Sequence, residues 1–581
     1  MRFTEALQIV QNRPVDAPPF CVTLACGFTP LHLQALLGAR LQLILPARRV
    51  EVAAGLYGDL AGTAEALAGS SVNAAAVVIE WPDLDPRLGY RNTGGWGPSD
   101  LADMVDRTRQ MLARLEQAVR RAPESARIAV SLPTLPLPPV FYTSPWQSSE
   151  AELRLIEAVT EWGATAAGLP NVSVASAQQL SEHSDHAHRF DFKGELLTGL
   201  PYTLSHADAL AAALANLISP PTPKKGLITD LDDTLWNGIL GDAGVEGVTW
   251  DLAGHGQIHG LYQVLLRALA EQGVLIGIAS KNDPEPVHQT FARADILLPK
   301  EKVFPIEVHW QAKSGSVQRI LKTWNIAADS VVFVDDSPME LAEVEQAHPG
   351  IQCLRFPKGD HGSAVSFLRE VRSLFAKPRV TEEDSLRLES IRRGVEFQQM
   401  AEQGSAAPEA FLKEMNARVT LDFDGAASDP RVLELVNKTN QFNLNGVRYT
   451  DAEWRKELDR PGAFVVSVAY EDRFGRLGKI AVVRGVARGA TLQVGTWVMS
   501  CRAFARRIEH QCLHVLLERF GADSIHFDFH ATKKNGPIQD FFETLLGHKP
   551  VAPFDLDREA FRGKCPPLYH RVESLAGAGA L

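Results

Sequence analysis

The sequence predicts an α/β protein built on largely parallel sheets, and three observations carry that expectation. Short apolar runs of strand length alternate with Ala/Leu-rich helical stretches, the pattern of repeated strand–helix–strand units. Two such runs end in paired carboxylates, Asp230 with Asp232 and Asp335 with Asp336, at the strand ends where open α/β sheets place their ligands. At 581 residues the chain is also too long for one core, and division by the usual domain size gives roughly three to four domains. The expected boundaries are 1–220, 221–380 and 381–581.

In the first region the apolar runs Val22 to Ala25, Leu41 to Leu45, Ala74 to Ile79 and Ile128 to Leu132 are the expected strands. The segment from Glu80 to Arg91 mixes charge with aromatics after a strand. It fits a ligand loop, and equally a solvated loop around a structural Trp81. Cys26 follows the first strand, and a small buried packing residue is the expectation there. Ser219-Pro220-Pro221-Thr222-Pro223 cannot extend a helix and marks the first boundary.

In the second region Ile258, Leu261, Leu265 and Leu269 recur at helical spacing, and Val274 to Ala279 forms a buried strand. That strand closes on Ser280-Lys281-Asn282-Asp283, where a hydroxyl is placed to hydrogen-bond a phosphoryl oxygen. Lys313 precedes a helix carrying Val317, Ile320, Leu321 and Trp324, and Val331 to Val334 is a third strand. The spacing from Asp232 to Ser280 leaves room for a flap and one helix, and no extra domain fits between Ser280 and Lys313, so the core is expected to lack a cap.

In the third region a charged helical stretch spans Glu382 to Arg393, and the segment from Asn437 to Leu444 is dense in amides. A hairpin turn is expected at Asp472 to Gly478 and a strand at Leu492 to Met499. Ser500-Cys501-Arg502 is expected to open a helix with Arg502 and Arg506 on one face and Arg507 beside them. Arginines at a helix start favour a phosphate, or a thiolate on Cys501. Gly521-Ala522-Asp523-Ser524 mimics a carrier-protein arm site, but the strand pattern of Ile525 to Phe529 rules that out.

Composition narrows the class. Hydrophobic and charged fractions of 45% and 22% are those of an ordinary globular protein. A net charge of −11 argues against nucleic-acid binding. The six cysteines are scattered without a Cys-x-x-Cys pair, so neither a zinc site nor a disulfide framework is expected. With no signal segment and no membrane span, the expectation is a cytoplasmic protein.

A carboxylate pair at a strand end can hold a hard divalent cation while one oxygen attacks phosphorus. Taken alone, Asp230 to Asp233 also fits an acidic turn capping the next helix, the lesser of the two readings. The set Asp230-x-Asp232-x-Thr234, Ser280, Lys313 and Asp335-Asp336 resembles, in order, the four motifs of the haloacid dehalogenase (HAD) superfamily of phosphohydrolases. That resemblance implies Asp230 as nucleophile, Asp232 as acid/base, and Lys313 as the cation that neutralises nucleophile and phosphoryl group. It further implies Thr234, Ser280, Lys281 and Asn282 against the phosphate, and Mg2+ held by Asp230, Asp232, Asp335 and Asp336. Asp-Leu-Asp-Asp-Thr-Leu-Trp-Asn-Gly, Ser-Lys-Asn-Asp, Val-Asp-Asp-Ser-Pro, Thr-Asn-Gln-Phe-Asn, Asp-Arg-Phe-Gly, Met-Ser-Cys-Arg and Thr532 to Asn535 together resemble the FkbH-type, HAD-IIIC-like subgroup, over about residues 222 to 545.

The subgroup implies dephosphorylation of 1,3-bisphosphoglycerate and loading of the glyceryl unit onto the phosphopantetheine arm of an acyl carrier protein for polyketide-type biosynthesis. Ala279 stands where the family often has Cys, which leaves Cys501 as the candidate acyl-carrying thiol. The third region resembles the acyl-CoA-binding core of the GNAT fold, with Arg502 and Arg506 in a degraded binding loop, and the first resembles a degenerate SGNH-hydrolase-like domain. Arg506 and Arg507 would then form a cationic docking patch for the carrier. The alternatives are a magnesium-dependent phosphatase acting on another phosphorylated metabolite such as a sugar, and a scaffold that only binds carrier proteins.

Overall fold

The computed structural model describes residues 1–92, 97–139, 143–377, 388–389, 391–392, 407–439, 441–473, 475–500, 503–504, 506–532 and 534–575. It divides into two compact units, Met1–Thr222 and Pro223–Leu581. Both are α/β.

The first unit holds five strands: β1 (Pro19–Ala25), β2 (Arg49–Ala54), β3 (Ala74–Val78), β4 (Arg127–Ser131) and β5 (Val172–Ala175). They pair in the order β2-β1-β3-β4-β5, all parallel. The central β3 is Ala-Ala-Ala-Val-Val and buried along its whole length, as a strand covered on both faces must be. The expected strand Leu41 to Leu45 lies instead at the end of the helix Leu31–Ile44. Leu33, Leu36, Leu37 and Leu41 are all buried there, and a buried apolar helix cannot be told from a strand by a short apolar run. The true strand, β2, was hidden by Arg49 and Glu51, which pair with each other at 2.9 Å on its rim.

The second unit begins with β6 (Gly226–Thr229), β7 (Leu275–Ser280), β8 (Val303–Val308), β9 (Val331–Asp335) and β10 (Gln352–Arg355). Their order is β10-β9-β6-β7-β8, again all parallel, so the chain starts at the centre and winds first to one side and then to the other. The short helix Leu240–Ala243 and the helix Gln257–Glu271 connect β6 to β7, and the helix Pro284–Phe291 follows β7. Trp324, fully buried on the helix Lys313–Trp324, lies over two glycines of adjacent strands. A Cβ at Gly226 would come within 2.5 Å of its ring and one at Gly277 within 2.8 Å. This close seat fixes the helix whose first residue is Lys313.

The remainder forms one mostly antiparallel sheet from β11 (Arg418–Asp422), β12 (Phe442–Asn443), β13 (Ala463–Asp472), β14 (Gly475–Arg488), β15 (Thr491–Met499), β16 (Ser524–Phe527), β17 (Phe554–Asp557) and β18 (Arg571–Leu575). Its order is β17-β16-β15-β14-β13-β11-β18, with β12 on β15. β15 and β16 run parallel only from Thr491/Ser524 to Val494/Phe527, and there they part. The opening is filled by the chain itself. Leu444 donates its amide to Trp497 O at 2.9 Å, and Asn445 Nδ2 bridges Gly495 O and Asp528 O at 3.0 and 3.2 Å. Asn535 Nδ2 bonds Asn443 O and His530 O. The unusual density of amides thus satisfies backbone groups stranded where two strands separate.

The helix expected from Ser500 begins only at Ile508, after Arg507 in the left-handed region (φ 59°). Among the described residues no helix is long and apolar enough to cross a membrane.

Candidate active site

The carboxyl ends of β6 and β9 meet at the point where the second unit's strand order reverses, the place where such sheets bind ligands. β6 is buried throughout, and the pairing runs one residue past it, with the Asp230 amide donating to Val334 O at 2.9 Å. Asp230 is therefore anchored by its backbone while its side chain faces the sheet end. Asp233 takes a left-handed backbone (φ 52°), and its carboxylate accepts from the Gly238 amide at 3.0 Å, which closes the turn after the motif.

Lys313, on the first turn of its helix, reaches both strand ends, 3.0 Å from Asp230 Oδ2 and 2.6 Å from Asp335 Oδ2. All three groups are buried. Burial pulls the Lys313 ammonium down, but the charges of Asp230 and Asp335 outweigh it and leave it at about 12. Burial, then the Asp230 charge, pushes Asp335 up against the pull of Lys313. The same two causes push Asp336 up. Lysine stays charged, and the carboxylates carry the strain of crowding.

Asp230, Asp335 and Asp336 each bring one ligand oxygen within 4.8 Å of the other two. Asp230 Oδ1 is buried with no hydrogen-bond partner. Lys313, with Lys358 shared between Asp233 and Asp336, leaves the carboxylates in excess, and an orphaned carboxylate oxygen beside them suits a hard divalent cation with oxygen ligands. Asp232, expected as a fourth carboxylate ligand, is not in this cluster. Its Oδ1 accepts from Trp236 Nε1 at 2.9 Å and from the Leu240 amide at 3.2 Å, and its Oδ2 from Asn282 Nδ2 at 3.0 Å. Half-burial still pushes Asp232 up, despite those donors.

Asn282 also donates to Ser280 Oγ at 3.3 Å, so Asp232, Asn282 and Ser280 form one chain at the mouth of β7. Thr234 Oγ1 is buried without a partner, while its carbonyl oxygen accepts from His259 Nδ1 at 2.9 Å in the neutral, Nδ1-protonated tautomer. Lys281 is turned to Glu340 at 2.7 Å. Two residues went unrecognised in the sequence. Trp236 orients Asp232, and Lys358, beyond β10, pairs with Asp233 and lies 3.7 Å from Asp336. The only signal for Trp236 was its place just after the first motif, and Lys358 had none.

Cys501 and Arg502 lie outside the described residues, as do Asn440, Phe474, Lys533 and most of the charged stretch from Glu382 to Arg393. Arg506 is buried, 3.8 Å from Asp472 and stacked over Tyr470. Arg507 donates to Pro567 O at 2.8 Å and pairs with Glu409 at 3.3 Å. Of the two arginines expected to form a docking patch, both charges are thus engaged by neighbours in the same region, Arg506 from a buried position. Cys512 sits inside the helix Ile508–Phe520, where burial pushes its thiol up.

No protein-family model matches the chain, and no curated protein matches it. Among solved structures, the N-terminal part of the protein BF1531 from Bacteroides fragilis, described as containing a phosphatase domain and complexed with Mg, covers 65% of this chain and 100% of its own. Its sequence identity is 20% and its TM-score 0.51, a likeness of fold. An uncharacterized protein from Corynebacterium glutamicum ATCC 13032 Kitasato matches 26% of this chain and 95% of its own at 22% identity, but its TM-score of 0.19 carries no argument.

Proposed function

We propose that this chain is a magnesium-dependent phosphohydrolase acting through an aspartyl-phosphate. The observation that carries the proposal is Lys313 held between Asp230 and Asp335, beside a third carboxylate and an orphaned oxygen of Asp230. Asp230, Asp335 and Asp336 would hold the ion, which when bound neutralises charge on the phosphoryl oxygens. A carboxylate oxygen of Asp230 attacks phosphorus, the bond from phosphorus to the leaving oxygen breaks, and Asp232 gives that oxygen its proton. Asp232 then takes a proton from water as the water attacks the aspartyl-phosphate, releasing phosphate and restoring Asp230. Asn282 and Trp236 keep Asp232 aimed through both steps, and Lys313 offsets the charge that collects on the phosphoryl group. The BF1531 fragment, with its phosphatase domain and Mg, supports the same chemistry by fold.

The finer reading is a cytoplasmic glyceryltransferase/phosphatase that takes 1,3-bisphosphoglycerate and loads an acyl carrier protein, with an SGNH-like first domain and a GNAT-like last one. Its support is the FkbH-type motif set and the parallel β15/β16 pair inside a mostly antiparallel sheet, whose other parallel pair is β11/β18 at its edge. Asn445 and its neighbours fill the opening beyond that pair, which favours a carrier arm bound elsewhere. Phosphate release measured with Asp230→Asn and with excess EDTA tests the first reading: both should abolish it, and release at the normal rate in either sinks it. Intact mass of holo carrier proteins after incubation with enzyme, Mg2+ and bisphosphoglycerate tests the second, and an unmodified carrier beside brisk phosphate release removes it.

A further inference from the structure

The first unit has its own strand-order reversal, between β1 and β3, and a cavity of about 570 Å3 opens there. Both its position and its size are those of a small-molecule site. Its walls include Tyr57, Trp81, Tyr90 and Phe190, and its polar lining includes Asp83 and Glu195. Tyr90 and Phe190 pack at 5.2 Å, and half-exposed Phe192 extends them at 5.6 and 5.8 Å.

The cavity holds no attacking group in Cys26. That thiol is buried, donates to Phe28 O at 3.5 Å and is pushed up to about 12 by burial. Glu80 is used up structurally: it accepts from Tyr202 OH at 2.7 Å, from Thr134 Oγ1 at 2.6 Å and from the Thr134 and Leu135 amides. Asp83 differs. Its carboxyl accepts from the Glu80 amide at 2.8 Å and lies against Gly27, where a Cβ would collide with Oδ1 at 1.8 Å. The end of β1 therefore keeps a glycine so that a carboxyl can press against it. Burial pushes Asp83 up to about 7, as a carboxylate short of a counter-charge should be.

The nearby arginines are already engaged. Arg91 lies 3.8 Å from Glu195 and donates to Tyr57 OH and Leu196 O, and Arg114 pairs with Glu65 at 2.6 Å. An anionic ligand would meet Asp83 and Glu195, and an apolar one would leave Asp83 desolvated. Aromatic faces around an uncompensated carboxylate suit a positive charge. We infer that this cavity binds a small organic ammonium ion, its head against Asp83 and its body against the aromatic walls.

Calorimetric titration of the full chain with choline, ethanolamine and the neutral choline isostere 3,3-dimethylbutan-1-ol tests it. At least one of the two cations should bind once per chain, and the alcohol should bind at least about tenfold more weakly than choline or not at all. Asp83→Asn and, as a variant outside the tight packing at Gly27, Glu195→Gln should each weaken the cation severalfold. The inference is overturned if neither cation binds, if the alcohol binds as tightly as the cation that does, or if either folded variant binds that cation as the unaltered chain does.

Discussion

The chain carries two strand-end sites of the same topological kind, and they treat buried or half-buried carboxylates in opposite ways. At β6/β9 the carboxylates come with Lys313 in contact, and their surplus charge calls for a metal. At β1/β3 Asp83 is backed by the Glu80 amide and, among the described residues, pairs with no side-chain cation, and the space beside it is aromatic. Parallel-sheet geometry puts a site in each place. On the two proposals above, the counter-charge is what separates a site for chemistry from a site for binding.

Replacing the counter-charge is the strongest way to break this contrast. Lys313→Met leaves Asp230 and Asp335 facing each other in a buried site, and should cost about 3 kcal/mol of stability in the absence of metal. Thermal unfolding should show Mg2+ recovering more stability in the variant than in the unaltered chain, because the ion takes over the missing charge. Equal stabilisation of both by Mg2+ would separate the metal site from Lys313.

Trp236→Phe probes orientation rather than charge. It removes one hydrogen bond to Asp232, and kcat should fall about tenfold with KM little changed. A change confined to KM would assign Trp236 to substrate binding.

The smallest effect belongs to the first unit. Asp83 is raised in the folded state, so its ionisation opposes folding above pH about 7, and that penalty fades as pH falls toward the ordinary carboxylate range. Asp83→Asn should therefore be more stable than the unaltered unit at pH 8, by on the order of 1 kcal/mol, and the advantage should vanish near pH ~4. Glu80 and Glu195 face the same carboxyl and are also raised, so the comparison is between variant and parent at each pH. An advantage that grows on acidification would mean Asp83 is held ionised by a partner.

Much of the candidate site's geometry was legible because it depends on strand ends. Asp230, Ser280, Asp335 and the helix-start Lys313 are fixed by local pattern plus one rule about parallel sheets. What stayed hidden depends on which segments meet. Asp232 looked like a metal ligand until Trp236, Leu240 and Asn282 were seen to use both its oxygens. Arg506 looked like surface charge because sequence records a charge and not its burial. The helix ending in Ile44 was mistaken for a strand since its apolar run is short and buried. The cavity beside Asp83 takes much of its lining from the Glu80 to Arg91 stretch that fits a ligand loop in the sequence, but the walls from near 57 and 190 meet it only in the fold.

The claim that Asp230 carries the phosphoryl group is tested most directly by trapping it. Asp232→Asn should slow attack of water more than formation of the adduct, since loss of general base costs roughly a hundredfold or more. After mixing this variant with Mg2+ and a phosphorylated substrate that has a good leaving group, peptide mass analysis should find a hydroxylamine-labile phosphoryl adduct on Asp230. A chain that turns over while the adduct forms on another residue, or on none, would contradict the account.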